Sequence, residues 1–337
     1  LVLDVGVNIA RQERGMSLEL SNREETLEIE LRQVAATEEY EYVLPVIFHV
    51  LYRVPEDDIP VGYLSSCLER VNELYRDGPV DMNLKFVLAT HDPNGQLLEE
   101  PGVRREFREG LPMDMFDFVG NKFGDCAWIW DPKEYINVVI FDSKSIPSGC
   151  AHFPYLPESV VLPGVLFSDW YADHLPDAHV HCVAWNRSHM FSRYELLGVI
   201  FDYDVFTLAH EMGHYLGLLH PFVDGKGNFG DYCDDTPDYC VNGYETFLSE
   251  LDETFPYSDD NYRKVIQRVA LNGRVFIADN IMDYEFGYLD RFTLEQRKRV
   301  RTVLENAWLL PGPKIEVEPW ARSGKKAVKP SVPKPVS

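Results

Sequence analysis

The sequence lacks the features that would place it with membrane or nucleic-acid-binding proteins. No apolar run approaches the ~20 residues of a membrane-spanning helix, and patches such as residues 43–48 have only the length of a strand. Basic residues are scarce, since 32 lysines and arginines stand against 55 aspartates and glutamates, a formal net charge of −23. Such a surface repels nucleic acid and anionic lipid. We therefore expect neither a nucleic-acid partner nor a membrane span.

Cysteines are few and widely spaced. The six cysteines include no C-x-x-C pair, which argues against zinc ribbons and thioredoxin-like redox chemistry. Their even number favours disulfides and a secreted, extracellular protein, with six free buried thiols as the alternative. The first disulfide we expect joins Cys233 and Cys240 across one acidic turn. The chain starts at Leu1 without an initiator Met or an apolar signal-peptide core, so we expect a targeting segment outside this sequence.

Composition divides the chain into three predicted parts. Residues 1–42 alternate short apolar pieces with charge and are interpreted as an N-terminal extension or pro-segment, the alternative being a loosely docked terminus. Residues 43–310 carry the regular hydrophobic patterns of a folded domain. Residues 311–337 are rich in Pro, Lys, Ser and Val, a composition typical of a flexible or extended tail.

The hydrophobic patterns of the middle part predict an α+β fold. Strands are predicted at 43–52, 84–89 and 135–141, an amphipathic helix at 62–77, and a second helix at 294–308. Thr293, with Gln296 three residues later, is the expected N-cap of the second helix. The order strand, helix, strand, strand suits a mixed sheet with a helix packed across it.

The stretch TLAHEMGHYLGLLHP carries the strongest functional signal. His210 and His214 are four residues apart, so on a helix both imidazoles project from one face, as two ligands of a tetrahedral zinc ion require. Gly217 lets the chain leave the helix, and His220 can swing back as the third ligand. Three nitrogens with one open position describe a catalytic zinc site, with Glu211 beside the metal-bound water. The alternative, a helix whose histidines only cap or pack, would need this whole pattern to arise without a role.

A second cluster follows in the acidic loop of residues 224–239. Its candidate ligands for a structural Ca²⁺ ion are three carboxylates and a threonine, namely Asp231, Asp234, Asp235 and Thr236. Crowded carboxylates repel one another unless a hard cation lies among them. The alternative is a solvated acidic turn.

These motifs together resemble the pappalysin family of metzincin zinc peptidases. The zinc motif, the loop from Gly230 to Pro237, the sequence NIMDY at 280–284, LPVIFHV at 44–50 and FTxxQ at 292–296 carry the resemblance, which spans roughly residues 43–308. It implies a secreted endopeptidase with one catalytic zinc and structural calcium.

The resemblance also implies the architecture and the roles of particular residues. The expected fold is a metzincin-like (zincin) catalytic domain, in which a twisted five-stranded mixed sheet and long helices form an upper lobe (43–220) above an irregular lower lobe (221–310). Met282 would lie in a turn beneath the metal and Tyr284 near the zinc. Asp231 and the Thr236 backbone would belong to the calcium loop of the family.

The segment after Tyr284 departs from the family pattern. The family commonly has a cysteine and an acidic residue there that helps to bind basic side chains, whereas this sequence reads EFGYLDR, without cysteine and shorter. The candidates for the substrate pocket are two aromatic residues, a glycine and a carboxylate, namely Phe286, Gly287, Tyr288 and Asp290. Apolar walls favour an apolar residue after the scissile bond, whereas Asp290 or Glu285 turned inward would favour Arg or Lys.

These observations predict a monomeric zinc endopeptidase that acts on proteins or peptides. Glu211 would be the general base and Tyr284 would stabilise the oxyanion. No cysteine precedes Cys67, which excludes a thiolate latency switch, and Asp4 is the candidate zinc blocker of a pro-segment. The rival hypotheses are a catalytically inactive, zinc-stabilised binding or adhesion protein and an amidase that acts on a non-protein substrate.

Overall fold

The computed structural model describes residues 40–120, 128–145, 147–167, 181–191, 193–196, 199–224, 229–249, 258–284 and 286–314. Residues 1–39, including Asp4, lie outside the described residues, as do Cys126, Glu285 and residues 315–337. Of the extension predicted at 1–42, only residues 40–42 are described, and Tyr42 is the first residue of a strand. Among the described residues, no helix is long and apolar enough to cross a membrane.

The chain forms short strands and six described α-helices. The strands are β1 (Tyr42–Tyr52), β2 (Leu84–Leu88), β3 (Val103–Phe107), β4 (Ile136–Phe141), β5 (Gly149–Ala151), β6 (Tyr155–Leu156), β7 (Leu166–Phe167), β8 (Val183–Asn186), β9 (Arg193–Leu196), β10 (Val199–Asp202), β11 (Phe222–Val223), β12 (Tyr239–Cys240), β13 (Gln267–Val269) and β14 (Val275–Ile277). The helices are α1 (Val61–Arg76), α2 (Met115–Val119), α3 (Tyr203–Tyr215), α4 (Val241–Ser249), α5 (Asp259–Ile266) and α6 (Leu294–Asn306). Two 3₁₀ turns lie at Pro55–Asp57 and Arg187–His189.

The main sheet is mixed, as the sequence predicted, but it has six strands instead of five. Its order is β2-β1-β4-β8-β5, and β3 also pairs with β1. Strand β2 pairs with residues 42–46 of β1 and β3 with residues 48–52, so the two lie end to end along one side of β1. The sheet is therefore five strands wide. All pairs are parallel except β5, which runs antiparallel to β8 at one edge of the sheet.

Both faces of the sheet are covered, which explains the nearly continuous apolar sequence of β1. Leu44, Val46 and Phe48 belong to the main core with α1 and α3. Ile47 and Leu51 alternate with them and contribute to smaller clusters on the opposite face. Full burial of each such side chain stabilises the fold by roughly 1.5–3 kcal/mol.

Helices α1 and α3 pack together above the sheet. Helix α1 occupies the predicted region, and its buried residues Leu64, Leu68, Val71 and Tyr75 recur at helical spacing. The Tyr75 hydroxyl donates to the carbonyl oxygen of Ala209 on α3 at 2.9 Å. This bond joins the longest helix to the one that carries the first two histidines.

Helix α6, the last of the described helices, packs against the main core. Thr293 caps α6 as predicted, since its side chain accepts from the Gln296 N–H while the Gln296 side chain accepts from the Thr293 N–H. Val300, Val303 and Leu304 then pack in the same core as β1. Packing continues just past the predicted boundary at 310, because the Tyr42 hydroxyl donates to the Pro313 carbonyl at 2.9 Å.

The predicted disulfide between Cys233 and Cys240 is wrong, because both cysteines are free. Cys233 is buried and its Sγ–H donates to the carbonyl of Asp231 at 3.6 Å, whereas Cys240 is exposed on β12. Burial raises the pKa of the Cys233 thiol. No disulfide joins the cysteines in the part of the chain that the structure describes.

Candidate active site

Three histidines of the predicted zinc motif converge at the end of α3. Nε2 of His220 lies 3.1 Å from Nε2 of His210 and 2.9 Å from Nε2 of His214. Gly217 makes the return possible with a φ of +89°, in the left-handed region that glycine tolerates. Among the described residues, no other set of three His, Cys, Asp or Glu brings its ligand atoms together in this way.

The outer nitrogens of two of these rings are fixed by backbone carbonyls. Nδ1 of His210 donates to Ile281 O at 2.9 Å, and Nδ1 of His214 donates to Leu218 O at 2.8 Å. A carbonyl only accepts, so the proton of each ring lies on Nδ1 and the lone pair on Nε2 faces the other histidines. Burial lowers the pKa of His210 to about 3 and keeps His214 neutral as well. Converging neutral nitrogens of this kind fit a zinc ion.

Glu211 lies against the edge strand of the main sheet. The carboxyl group is buried, and burial raises its pKa to about 8. A side-chain carbon added at Gly149 of β5 would overlap the Glu211 side chain, so the glycine makes room for the carboxylate. Cys150, the next residue of β5, is close enough for Glu211 to help burial raise its pKa to about 12.

The predicted turn at Met282 lies beneath the histidine-bearing helix. Met282 is fully buried and its sulfur contacts Gly213 of α3. The turn is held by Asn280, whose Oδ1 accepts from the Met282 N–H at 2.9 Å and whose Nδ2 donates to Gln296 Oε1 at 2.8 Å. This arrangement places the turn between α3 and α6.

Tyr284 lies beside the histidines, as the resemblance implied. Its ring centroid is 4.5 Å from that of His220 and 5.8 Å from that of His210, and the side chain remains 41% exposed. Partial burial and the nearby Glu211 raise the pKa of its hydroxyl to about 12. The hydroxyl is therefore protonated at neutral pH and able to donate a hydrogen bond.

The four calcium candidates do not form a common ligand set. Asp231 is buried, and its Oδ1 accepts from the Cys233 N–H at 3.1 Å and from the Thr236 hydroxyl at 2.7 Å. Asp234 and Asp235 are exposed and turned toward Glu295 of α6, which accepts from the Asp234 N–H at 2.5 Å and donates its own N–H to Asp235 Oδ2 at 3.0 Å. Burial raises the pKa of Asp231 to about 6.

The pocket candidates are mostly packed inside the protein. Phe286 and Tyr288 are buried in a largely aromatic cluster with Tyr262 and Ile266 of α5. A side-chain carbon at Gly287 would lie 2.7 Å from the Ala278 carbonyl oxygen, so this close approach requires glycine. Such packing fixes the path of the chain behind Tyr284.

The carboxylate among the pocket candidates is already engaged. Asp290 Oδ1 accepts from Arg291 Nε at 2.9 Å, and the Asp290 N–H donates to Asp279 O at 3.0 Å. Asp290 is thereby tied to a buried arginine.

Sequence reasoning missed two buried arginines that anchor the site. On α6, Arg299 Nε donates to the Gly217 carbonyl at 2.7 Å and its Nη2 donates to Pro163 O at 2.5 Å. On β13, Arg268 donates to the carbonyls of Tyr284 and Phe286. Neither residue belongs to a motif, and arginine in a polar segment ordinarily indicates exposure.

Comparison with known protein families identifies the chain. The sequence pattern of the peptidase family described as "Pregnancy-associated plasma protein-A", the pappalysins, matches residues 125–305. The chain belongs to this family. As a pappalysin it is a metalloendopeptidase with a zinc cofactor and with protein or peptide substrates. The match contains the whole histidine motif and the turn at Met282, so the resemblance inferred from the sequence is confirmed.

Individual relatives are consistent with the assignment of this chain to the pappalysin family. An extracellular metalloprotease of Verticillium alfalfae is 26% identical over 241 residues, which cover 65% of this chain and 70% of that protein. Mature mirolysin of Tannerella forsythia, solved in complex with a cleaved peptide, aligns at 20% identity with a TM-score of 0.51 over 78% of this chain and 91% of its own. Promirolysin of the same organism aligns at 19% identity with a TM-score of 0.53 over 89% and 94%. At this identity the two structures show that the fold is shared.

Proposed function

We propose that His210, His214 and His220 hold the catalytic zinc and that the protein hydrolyses peptide bonds with Glu211 as its general base. The observation that carries the proposal is the convergence of the three Nε2 atoms, two of which belong to rings whose Nδ1–H is bound to a backbone carbonyl. Fixing the outer nitrogen in this way orients the inner lone pair and increases its basicity.

When bound by the three histidines, zinc would supply Lewis acidity that polarises the scissile carbonyl and lowers the pKa of a water toward ~7. Glu211 would accept a proton from the attacking water at a carboxylate oxygen and later deliver it to the leaving amine. Its buried position favours holding the proton between the two steps. The Tyr284 hydroxyl, which stays protonated, donates a hydrogen bond to the oxygen that develops negative charge.

Strand β5 is the surface along which we place the substrate. It is an edge strand of the main sheet, and Gly149 on it contacts Glu211. An edge strand presents unpaired backbone groups, and an extended peptide can bind to them as one more strand. A substrate held in this way lies beside the carboxylate that carries out the proton transfer.

For the residue after the scissile bond we propose an apolar preference. Selection of Arg or Lys requires a carboxylate free to pair with the cation. Asp290 instead pairs with Arg291, and aromatic side chains fill the region around residues 286–288.

Structural calcium in the acidic loop is a further proposal. It is supported by the crowding of carboxylates, since Asp235 and Asp238 help burial to raise the pKa of Asp231, and Asp234 does the same for Asp238. The hydrogen bonds within the loop favour the alternative, a turn that is stable without an ion.

The other proposals concern maturation and location. We propose an extracellular monomer with a catalytic domain at 43–310, whose upper lobe covers 43–220 and whose lower lobe covers 221–310, and a flexible or extended tail at 311–337. Residues 1–42 form an N-terminal extension or pro-segment, with Asp4 the candidate zinc blocker, and any segment removed on maturation would end before Tyr42, which is buried in β1. The printed name of the Verticillium alfalfae relative, an extracellular metalloprotease, supports the location.

The decisive experiment combines metal analysis with a cleavage assay. We expect about one zinc per chain in the purified protein and cleavage of casein that a chelator abolishes and added zinc restores. His220→Ala should lose both the zinc and the cleavage. Zinc binding without cleavage of any protein or peptide would favour the inactive binding protein, and cleavage of small amides alone would favour the amidase.

A further inference from the structure

A buried arginine is hydrogen-bonded to the main chain on either side of residue 285. Arg268 is only 2% exposed. Its Nη2 donates to Tyr284 O at 3.1 Å and to Phe286 O at 2.8 Å, and its Nη1 donates to Val265 O at 3.1 Å and to Gln267 O at 3.2 Å. One guanidinium thus ties β13 to the segment that follows the turn at Met282.

The charge of Arg268 is accommodated by aromatic rings and by a buried carboxylate. The guanidinium carbon lies 3.4 Å from the centroid of the Tyr244 ring, a close cation–π contact. Burial by itself would lower the pKa of Arg268, but the Asp283 carboxylate and the side chains of Tyr244 and Tyr239 outweigh it, and the pKa is raised. A buried cation is tolerated only where such partners surround it.

Asp283 binds the main-chain N–H of Tyr284, the residue whose carbonyl Arg268 binds. Its Oδ1 accepts from the Tyr284 N–H at 2.7 Å, and it also accepts from the Tyr239 hydroxyl. The N–H of Tyr284 is therefore bound by a buried carboxylate, while its carbonyl is bound by the buried guanidinium. The main chain of Tyr284 is fixed on both sides although its ring remains partly exposed.

We propose that Arg268 is a positioning residue for Tyr284. This proposal rests on the proposed function. Arg268 holds the main chain of Tyr284 so that the hydroxyl lies beside the histidine cluster in the orientation that the reaction requires. The physical reason is that a donor misplaced by ~1 Å costs about 10²-fold in rate. A lysine could retain the charge, but its single ammonium cannot replace two separate nitrogens, of which Nη1 binds the carbonyls of Val265 and Gln267 while Nη2 binds those of Tyr284 and Phe286.

Kinetics of Arg268→Lys and Arg268→Met test this role. We expect kcat to fall about 10–100-fold with KM changed by less than about threefold, because only the alignment of the hydroxyl is lost. Where the methionine variant does not fold, the lysine variant carries the test. The matched control is Arg301→Met, because Arg301 is also a buried arginine that donates to carbonyls, those of Tyr40 and Asn83, away from the histidines.

A double-mutant cycle separates positioning from general stability. If Arg268 acts through Tyr284, Arg268→Lys should cost little further activity in a Tyr284→Phe background, where the hydroxyl is already absent. Equal losses in both backgrounds would overturn the proposal, as would wild-type kcat in both Arg268 variants. A wild-type protein that binds zinc but cleaves nothing would instead refute the proposed function.

Hydrogen exchange provides a readout that does not depend on activity. In metal-free protein, amides of residues 280–290 should exchange faster in Arg268→Lys than in the wild type and in Arg301→Met. Unchanged exchange in this segment would show that Arg268 does not hold it, and would overturn the proposal whatever the kinetics.

Discussion

The sulfur of Met282 packs directly against Gly213, the residue that stands between Glu211 and His214 on α3. A side-chain carbon at position 213 would overlap this sulfur and approach the Tyr75 hydroxyl at 3.5 Å. The turn beneath the helix therefore requires a glycine at position 213, inside the zinc motif. The turn and the helix are complementary in shape, and neither can shift without moving the histidines.

Gly213→Ala is expected to impair the site through this contact. The added methyl group must displace Met282 or α3, and such overpacking costs roughly 1–3 kcal/mol. We expect a lower melting temperature and weaker zinc retention, measured by thermal unfolding and metal analysis. Gly243→Ala is the control, because a side chain there meets nothing within 4 Å. An unchanged zinc affinity in Gly213→Ala would show that the turn yields easily.

Glu211→Ala should separate metal binding from proton transfer. The rings of His210 and His214 are held by backbone carbonyls and not by the carboxylate, so zinc content and melting temperature should stay close to the wild type. Peptide cleavage should fall by about 10²–10⁴-fold or more, because general acid–base catalysis is lost. Near-normal turnover measured on a fluorogenic peptide would rule out the mechanism proposed above.

The zinc motif was predictable from sequence because its geometry is local. His210 and His214 are four residues apart on one helix, and the turn at Gly217 brings His220 back to them. Strand β1 and helix α1 were predictable for the same reason, since periodicity records which residues face a core. Strand β5 has only three residues, and β3 reads VRREF, so neither carries a clear hydrophobic pattern. Arg299 was missed because its partner Gly217 lies 82 residues earlier in the chain, and Arg268 because its acceptors are backbone carbonyls, which leave no sequence pattern.

The acidic loop gives a prediction about calcium. If the ion binds the folded protein alone, added Ca²⁺ at about 100 times its dissociation constant should stabilise the fold by ~2.7 kcal/mol. Melting curves recorded with zinc saturated would reveal this shift, and Asp234→Asn combined with Asp235→Asn should reduce it. Identical curves with and without calcium would establish the solvated acidic turn.

His49 should make the fold sensitive to acid. Its ring is fully buried beside Asn137, and burial lowers its pKa to about 3, below the ~6.5 of an unfolded chain. Between these values only the unfolded state binds the proton, so stability present above pH ~6.5 is lost as pH falls, at most by ~1.4 kcal/mol per pH unit. Urea unfolding of the metal-free protein from pH 7 to 4.5 measures this slope. Buried His210 and His214 add to the slope, so His49→Gln should reduce it by at most ~1.4 kcal/mol per pH unit without abolishing it, and equal slopes would show that His49 is protonated in the folded state.

Cleavage-site profiling on a peptide library tests the preference after the scissile bond. We expect apolar residues to be enriched, because Asp290 is engaged by Arg291. Asp290→Asn should leave the profile unchanged. A strict requirement for Arg or Lys that disappears in Asp290→Asn would show that this carboxylate turns toward the substrate.

The bond from His210 to Ile281 spans 71 residues, and the bond from Arg299 to Gly217 spans 82. During synthesis the histidines therefore emerge well before the segments that orient them. At ~5–20 residues per second the ribosome needs several seconds to supply those segments. During this interval the histidines lack the hydrogen bonds that orient them, so we expect the enzyme to become active only after α6 has docked. We therefore expect the unfinished chain not to cleave other chains that are being synthesised beside it.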